Sequence, residues 1–178
     1  ALAPARGGGG GAVRIAVLGY SGAGKSTLAR ALGEKYGCPV LHLDQVQFTA
    51  GWRERDRTEA LALVRAVQDR PSWVIDGNYE KFDQARRLAL AERIVLLEFP
   101  RRICLPRAVK RWLQYRGRTR ESMAEGCVEK LDWAFLRWIL WEGRTRAVRD
   151  HYRAIRTAYP DKTVVLKTPA QVRAFLSV

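Results

Sequence analysis

A chain of 178 residues fits one domain with an appended lid but not two independent domains, and 47% hydrophobic with 28% charged residues excludes general disorder. Thirty-two Lys and Arg against 18 Asp and Glu give a formal charge of +14, so the expected partner is an anion: a phosphorylated metabolite, a nucleic acid or an acidic surface. Three widely spaced cysteines and two histidines argue against a disulfide scaffold, a zinc ribbon and a His-rich metal site, and no apolar run is long enough to span a bilayer. A cytoplasmic protein without a membrane partner is the expectation.

Residues 1–12, with five glycines from Gly7 to Gly11, read as a flexible leader ahead of a single domain over 13–178. From Val13 onward strands and helices alternate. Val13 to Leu18 is a β-branched run, and a glycine-rich turn leads into a helical stretch from Ser26 to Tyr36. Val40 to Leu43 is a second strand, and Thr58 to Asp69 has helical spacing through Leu61, Val64 and Val67. Trp73 to Ile75 is a third strand, Glu80 to Leu90 a helix, and Ile94 to Phe99 a fourth strand. A long helical segment runs to Tyr115, interrupted or started late by Pro106. A polar stretch from Arg116 to Lys130 precedes one long helical pattern reaching Tyr159. Thr163 to Leu166 and Ala170 to Leu176 close the chain as strand and helix. Short apolar strands alternating with helices imply an α/β fold with a parallel sheet covered on both faces.

Gly19-Tyr-Ser-Gly-Ala-Gly24-Lys25-Ser26 matches the phosphate-loop pattern G-x-x-x-x-G-K-[ST], with a strand before it and a helix after it. Gly19, Ser21, Gly22, Ala23, Gly24, Lys25, Ser26 and Thr27 are therefore the candidate ATP-binding residues. Successive glycines let backbone N–H groups turn inward around an anion. Lys25 reaches the β- and γ-phosphates, the Ser26 hydroxyl ligates Mg²⁺, and the helix N-terminus adds its positive end. Such chemistry also needs a carboxylate near the metal. Asp76, closing Trp73-Val-Ile-Asp76, is the candidate to hold Mg²⁺ directly or through water, and Asp44 ends a strand on the same sheet edge. Either aspartate could instead cap a helix or form a turn. His42 reads as a strand residue packed near the site, and Tyr20 as a cover for the loop. Trp52, beside Arg53 and Arg55, lies in an acceptor flap over about residues 45–57, where it either covers a base or sugar or anchors the loop.

With these motifs the chain resembles the adenylate-kinase-like branch of P-loop proteins. More closely, it is similar to the small bacterial family of DNA topology modulation proteins. Carrying the resemblance are the phosphate loop Gly19–Thr27, His42-Leu-Asp44 with Gly51-Trp52, Trp73-Val-Ile-Asp76-Gly77-Asn78-Tyr79, Tyr115-Arg-Gly-Arg-Thr-Arg120 and Met123-Ala-Glu-Gly-Cys127. The resemblance implies a three-layer P-loop fold with five parallel strands in the order 2-3-1-4-5. Adenylate kinases have Asp-Gly-Phe-Pro-Arg after the third strand, and its arginine grips the acceptor's phosphate. Here Asp76-Gly77-Asn78-Tyr79-Glu80 lacks that arginine, and His42-Leu43-Asp44 replaces a Thr-Gly-Asp motif. Loss of the cation removes a charge-assisted contact to AMP, whereas Asp44 suits an acceptor hydroxyl, by analogy with small-metabolite kinases.

Eight basic residues lie between Arg101 and Arg120 with no acidic residue among them. The resemblance implies that Arg111 stacks on the adenine and that Arg116, Arg118 and Arg120, in a lid over about residues 116–130, close over the transferring phosphoryl group. It also makes Arg144 and Arg146 a second lid arm. The competing readings of this segment are a solvated basic face and a nucleic-acid patch interleaved with Trp112 and Tyr115. Helical spacing makes core packing the expectation for Trp112, Trp133, Trp138 and Trp141. The leading function is an ATP- and Mg²⁺-dependent phosphotransferase for a small-molecule, nucleoside or nucleotide acceptor, as a monomer or dimer. The alternatives are a DNA-associated ATPase that influences topology and a regulatory nucleotide binder.

Overall fold

Ile15, Ala16, Val17 and Leu18 are at most 1% exposed, so β1 (Arg14–Gly19) lies in the middle of a sheet covered on both faces. The computed structural model describes residues 12–117, 119, 122–124, 126–127 and 132–178; the expected leader, apart from Ala12, lies outside the described residues. β1 pairs in parallel with β5 (Trp73–Asp76) on one side and β6 (Arg93–Leu97) on the other. β2 (Val40–His42) lies beyond β5, and β7 (Thr163–Leu166) beyond β6, again in parallel. Counting only these five strands along the chain, the sheet order is 2-3-1-4-5, the order the resemblance implied. All five carboxyl ends therefore open onto one edge, and that edge collects the chemistry.

The helices follow the periodic segments, with differences that matter for the site. α1 (Lys25–Tyr36) starts at the phosphate-loop lysine and ends at Gly37 in the left-handed conformation, as helix C-termini commonly do. β2 stops at His42, one residue short of the expected strand end at Leu43. Asp44 sits instead in the first turn of a short helix, α2 (Leu43–Gln47), that sequence periodicity did not reveal. A small hairpin follows, β3 (Phe48–Thr49) against β4 (Arg53–Glu54), within the span expected for the flap. α3 (Arg57–Gln68) is capped by the Asp56 side chain, which accepts hydrogen bonds from the Thr58 and Glu59 N–H groups. α4 (Gln84–Leu90) begins four residues later than expected, because Asp83 has φ 53° and its carboxylate is drawn to Arg65, 2.9 Å away.

α5 (Arg101–Gln114) runs straight through Pro106. Proline at the sixth helical position forfeits only the bond to the Arg102 carbonyl, which is tolerable near an N-terminus. The single long helix expected up to Tyr159 is two helices, α6 (Trp133–Leu140) and α7 (Arg146–Ala158), joined by a 3₁₀ turn over Glu142–Arg144. The break turns Arg144 inward. Its guanidinium donates to the Phe99 carbonyl at 2.9 Å and the Cys104 sulfur at 3.1 Å, and lies 3.9 Å above the Tyr20 ring. Arg144 is thus a buried brace and not a lid arm. Arg146 faces outward and pairs with Asp150. Three tryptophans also depart from expectation: Trp133, Trp138 and Trp141 are 69%, 47% and 56% exposed, so they are not core residues. α8 (Pro169–Ser177) closes the fold, and no helix among the described residues is long and apolar enough to cross a membrane.

Candidate active site

The turn after β1 is built for a bound anion. Gly22 has φ 78°, and a Cβ there would come within 2.6 Å of the Cys104 carbonyl, so only glycine permits this approach to α5. The N-terminus of α1 has no side-chain cap and no acidic residue in its first turn, leaving its orphan N–H groups and positive dipole end for an external anion. Lys25 Nζ donates to the carbonyls of Gly19 and Tyr20 at 3.0 and 3.2 Å. Tyr20 does not cover the loop as expected. It is buried beneath it, 5.4 Å from the Tyr152 ring and under Arg144, because the aromatic face offers that guanidinium a desolvated partner.

Two cavities meet at this turn. The first, about 500 Å³, runs along Ser21, Gly22, Gly24, Ser26 and Thr27. Among the described residues it gathers five cations, Lys25, Arg30, Arg107, Lys110 and Arg111, against one carboxylate, Asp44. That balance suits a polyanion. The second cavity, about 700 Å³, lies on the β2–β5 side and shares Ser21, Lys25, Asp44, Arg111 and Phe135 with the first. Among the described residues its charge balance is opposite: Asp44, Asp76 and Asp132 face Lys25 and Arg111. Behind the phosphate loop an apolar cleft of about 210 Å³ lies between Thr27, Leu97, Phe99, Pro169 and Val172, with Arg107 at its mouth.

The two aspartates are held differently. Asp76 is 4% exposed and neighbours His42 across the β2–β5 pairing. A carboxylate only accepts, so the His42 Nδ1–H donates to Asp76 Oδ1 at 2.7 Å, leaving Oδ2 to other partners. Close by, Arg87 is fully buried, donates to the Gly77 carbonyl at 3.0 Å and has two nitrogens with no partner among the described residues. Burial pushes its guanidinium down to about 10, against the opposing pull of Asp76, so it stays charged at neutral pH. Asp44 is half-buried and accepts from the Tyr79 hydroxyl at 2.7 Å. Burial, reinforced by the Asp44 charge, raises the Tyr79 phenol above its usual value and keeps it a donor. Asp44 lines both cavities, whereas Asp76 lines only the second.

Arg111, expected to stack on the adenine, lies where the two cavities join, 5.6 Å over the Phe135 ring, and Arg107 lines both the first cavity and the apolar cleft. Arg116 lines neither cavity, because its guanidinium stacks 5.3 Å over Trp112, one helical turn back. Arg118 and Arg120 lie outside the described residues. Within the lid span, Cys127 donates its thiol to the Thr49 carbonyl at 3.3 Å and so touches the flap hairpin. The flap itself carries strain. Trp52 has φ 64° directly after Gly51 at φ 73°, a left-handed pair that costs a non-glycine residue on the order of 1–2 kcal/mol. The bent hairpin puts the Trp52 indole on the wall of the second cavity, edge-on to Phe48 at 5.3 Å.

Sequence reasoning used Asn78 and Tyr79 only as part of a motif. The Asn78 side chain imitates a strand partner: Oδ1 accepts from the Gly19 N–H at 3.0 Å, and Nδ2 donates to the Gly19 carbonyl at 2.8 Å. Its signal was its place two residues after the strand-ending aspartate. At about 1 kcal/mol per hydrogen bond, Asn78→Ala should lower thermal stability measurably and weaken nucleotide binding, since the phosphate loop loses its clasp to β5. Calorimetric melting with and without Mg·ATP reads both effects, and an unchanged nucleotide affinity would make Asn78 a purely structural residue.

No family model matches the chain, and no curated protein matches it either. Solved structures do. A gluconokinase from Sinorhizobium meliloti aligns with TM-score 0.52 at 19% identity, covering 93% of this chain and 90% of its own. Shikimate kinase from Bacteroides thetaiotaomicron aligns with TM-score 0.50 at 18% identity, over 93% and 94%. A sugar kinase from a Janibacter species aligns with TM-score 0.50 at 19% identity, over 91% and 92%. The chain therefore has the fold of P-loop kinases.

Proposed function

We propose that the chain is an ATP- and Mg²⁺-dependent phosphotransferase acting on a small hydroxyl-bearing acceptor. The observation that carries it is the junction of a cation-lined cavity on the phosphate loop with an acidic cavity, at Lys25, Asp44 and Arg111. The triphosphate lies along Gly19–Thr27, with the base in the apolar cleft beside Pro169. Arg107, not Arg111, is then the residue to stack on the base. Arg111 is left beside the transferring group, where a guanidinium offsets charge on the equatorial oxygens.

The donor set fits magnesium in that Ser26 stands in the first cavity and Asp76 keeps one oxygen clear of His42, suited to a water-mediated contact. Bound there, the metal supplies neutralisation of the β- and γ-phosphate charge. Asp44, held by Tyr79, orients the acceptor hydroxyl and takes its proton. We carry Arg118 and Arg120 as closing arginines, and the motif set from Val13 onward supports placing the chain with the DNA topology modulation proteins.

The test is a γ-phosphoryl transfer screen from ATP to a metabolite and nucleotide panel, with an acceptor-free hydrolysis control. Acceptor-dependent release of ADP with a matching phosphorylated product is the expected result; acceptor-independent hydrolysis alone overturns it. DNA binding is expected to be only nonspecific, about 10⁻⁴–10⁻⁶ M at physiological salt. Arg107, Lys110 and Arg111 line the first cavity, where a bound nucleotide rather than a duplex would engage them. Anisotropy on a short duplex at several salt concentrations checks this, and submicromolar ATP-dependent binding would favour the DNA-associated ATPase.

A further inference from the structure

The second cavity has a composition that a general hydroxyl site does not need. Aromatic rings reach it from three separate elements: Phe48 and Trp52 from the hairpin, Tyr79 from the segment after β5, and Phe135 and Trp138 from α6. Several are fixed in orientation before any ligand arrives. Trp52 is set by the left-handed turn and its edge contact with Phe48, and Trp138 Nε1 donates to Ser21 Oγ at 3.1 Å, at the rim of the phosphate loop. Trp138 keeps 47% of its surface exposed despite that bond, so its indole face is not consumed by the core. Rigid ring faces around a cavity are suited to stacking a flat ring.

The charges select further. Among the described residues the two cations lining this cavity, Lys25 and Arg111, also line the nucleotide cavity and serve the transferring phosphoryl group. Asp44 and Asp132 are left facing the acceptor, with Asp76 on the same wall behind the metal position. An acceptor with its own carboxylate or phosphate would set like charges together, with no dedicated cation among the described residues to answer them.

We infer that the acceptor is an uncharged alcohol bearing a flat aromatic ring, of the nucleoside class, and that phosphomonoesters and sugar acids are rejected. This rests on the phosphotransferase reading above. A volume of about 700 Å³ is ample for a ring and a sugar. In the reaction, the acceptor hydroxyl oxygen forms a new bond to the γ-phosphorus of ATP as the bond from that phosphorus to the bridging oxygen breaks. ADP leaves, and the hydroxyl proton passes to the Asp44 carboxylate and then to solvent.

The experiment compares the common ribo- and deoxyribonucleosides with their 5′-monophosphates, shikimate and gluconate, using the full chain and Mg·ATP with product mass as the readout. At least one nucleoside should be phosphorylated with kcat/KM roughly a hundredfold above every anionic acceptor. For that nucleoside, Trp52→Ala should raise KM roughly tenfold or more with a smaller effect on kcat, and Trp52→Phe should restore it. Nucleoside binding is also read without ATP, by quenching of tryptophan fluorescence. Preferred transfer to a monophosphate or a sugar acid overturns the inference and leaves the phosphotransferase standing. No quenching and no transfer with any nucleoside, while Mg·ATP still raises the melting temperature, also overturns the inference alone. Failure of the broader reading looks different: no melting shift with Mg·ATP and no phosphoryl transfer to anything.

Discussion

Replacing Lys25 with methionine will remove the rise in melting temperature that Mg·ATP confers and lower phosphoryl transfer by roughly 10²–10³-fold. Among the described residues five cations line the first cavity, but only Lys25 arises from the phosphate loop itself, at the first residue of α1. Its ammonium rests on the Gly19 and Tyr20 carbonyls, so the stem is already directed along the turn where the proposed reading puts the phosphates. Methionine keeps the stem and removes the charge. The loop loses two modest hydrogen bonds, about 1 kcal/mol each, which the domain survives. The larger loss is electrostatic and concerns a group whose negative charge shifts during transfer. Ser26→Ala should act in the same direction through the metal, with an increased Mg²⁺ requirement. Parent-like turnover by both variants would remove phosphate-loop chemistry from this protein.

The strands and the phosphate loop were legible because both rest on local signals, whereas the order of the sheet came from the resemblance. Apolar runs such as Ile15–Leu18 have no alternative to burial, and a glycine pattern between strand and helix has few uses. Local signals fail where a side chain's role depends on a distant partner. The resemblance made Arg144 a lid cation by position, yet the carbonyl of Phe99 and the ring of Tyr20 draw it into the core. Trp133 and Trp141 have helical spacing, but spacing does not say whether a facing element exists to cover them. The flap hairpin was invisible for another reason: two strands of two residues each carry no period, and Trp52 adopts a conformation its residue type disfavours. The departure at Trp52 lies on the second cavity, where a ligand rather than the core would account for it.

Asp44→Asn should abolish transfer, by about 10²–10⁴-fold, whereas Asp76→Asn should mainly raise the Mg²⁺ concentration needed for it. The difference follows from what surrounds each carboxylate. Asp44 stands at the junction of the cavities, within reach of an acceptor and of the group being transferred, and Tyr79 fixes one of its oxygens. Asparagine still accepts that hydroxyl bond, so the geometry persists and only the ability to take a proton is lost. Transfer should therefore fall much further than acceptor-free hydrolysis, in which bulk water can carry the proton away. Asp76 is enclosed by His42 and lies close to the buried Arg87, a setting that holds a carboxylate still rather than one that lets it exchange protons with an acceptor. Its substitution leaves the His42 N–H an oxygen to bond but removes negative charge behind the metal position. Excess Mg²⁺ should then recover much of the transfer by Asp76→Asn and none of that by Asp44→Asn. Mg²⁺ titrations of transfer and hydrolysis on both variants decide the matter, and recovery by Asp44→Asn alone would exchange the two roles, putting the metal on α2 and the base at the end of β5.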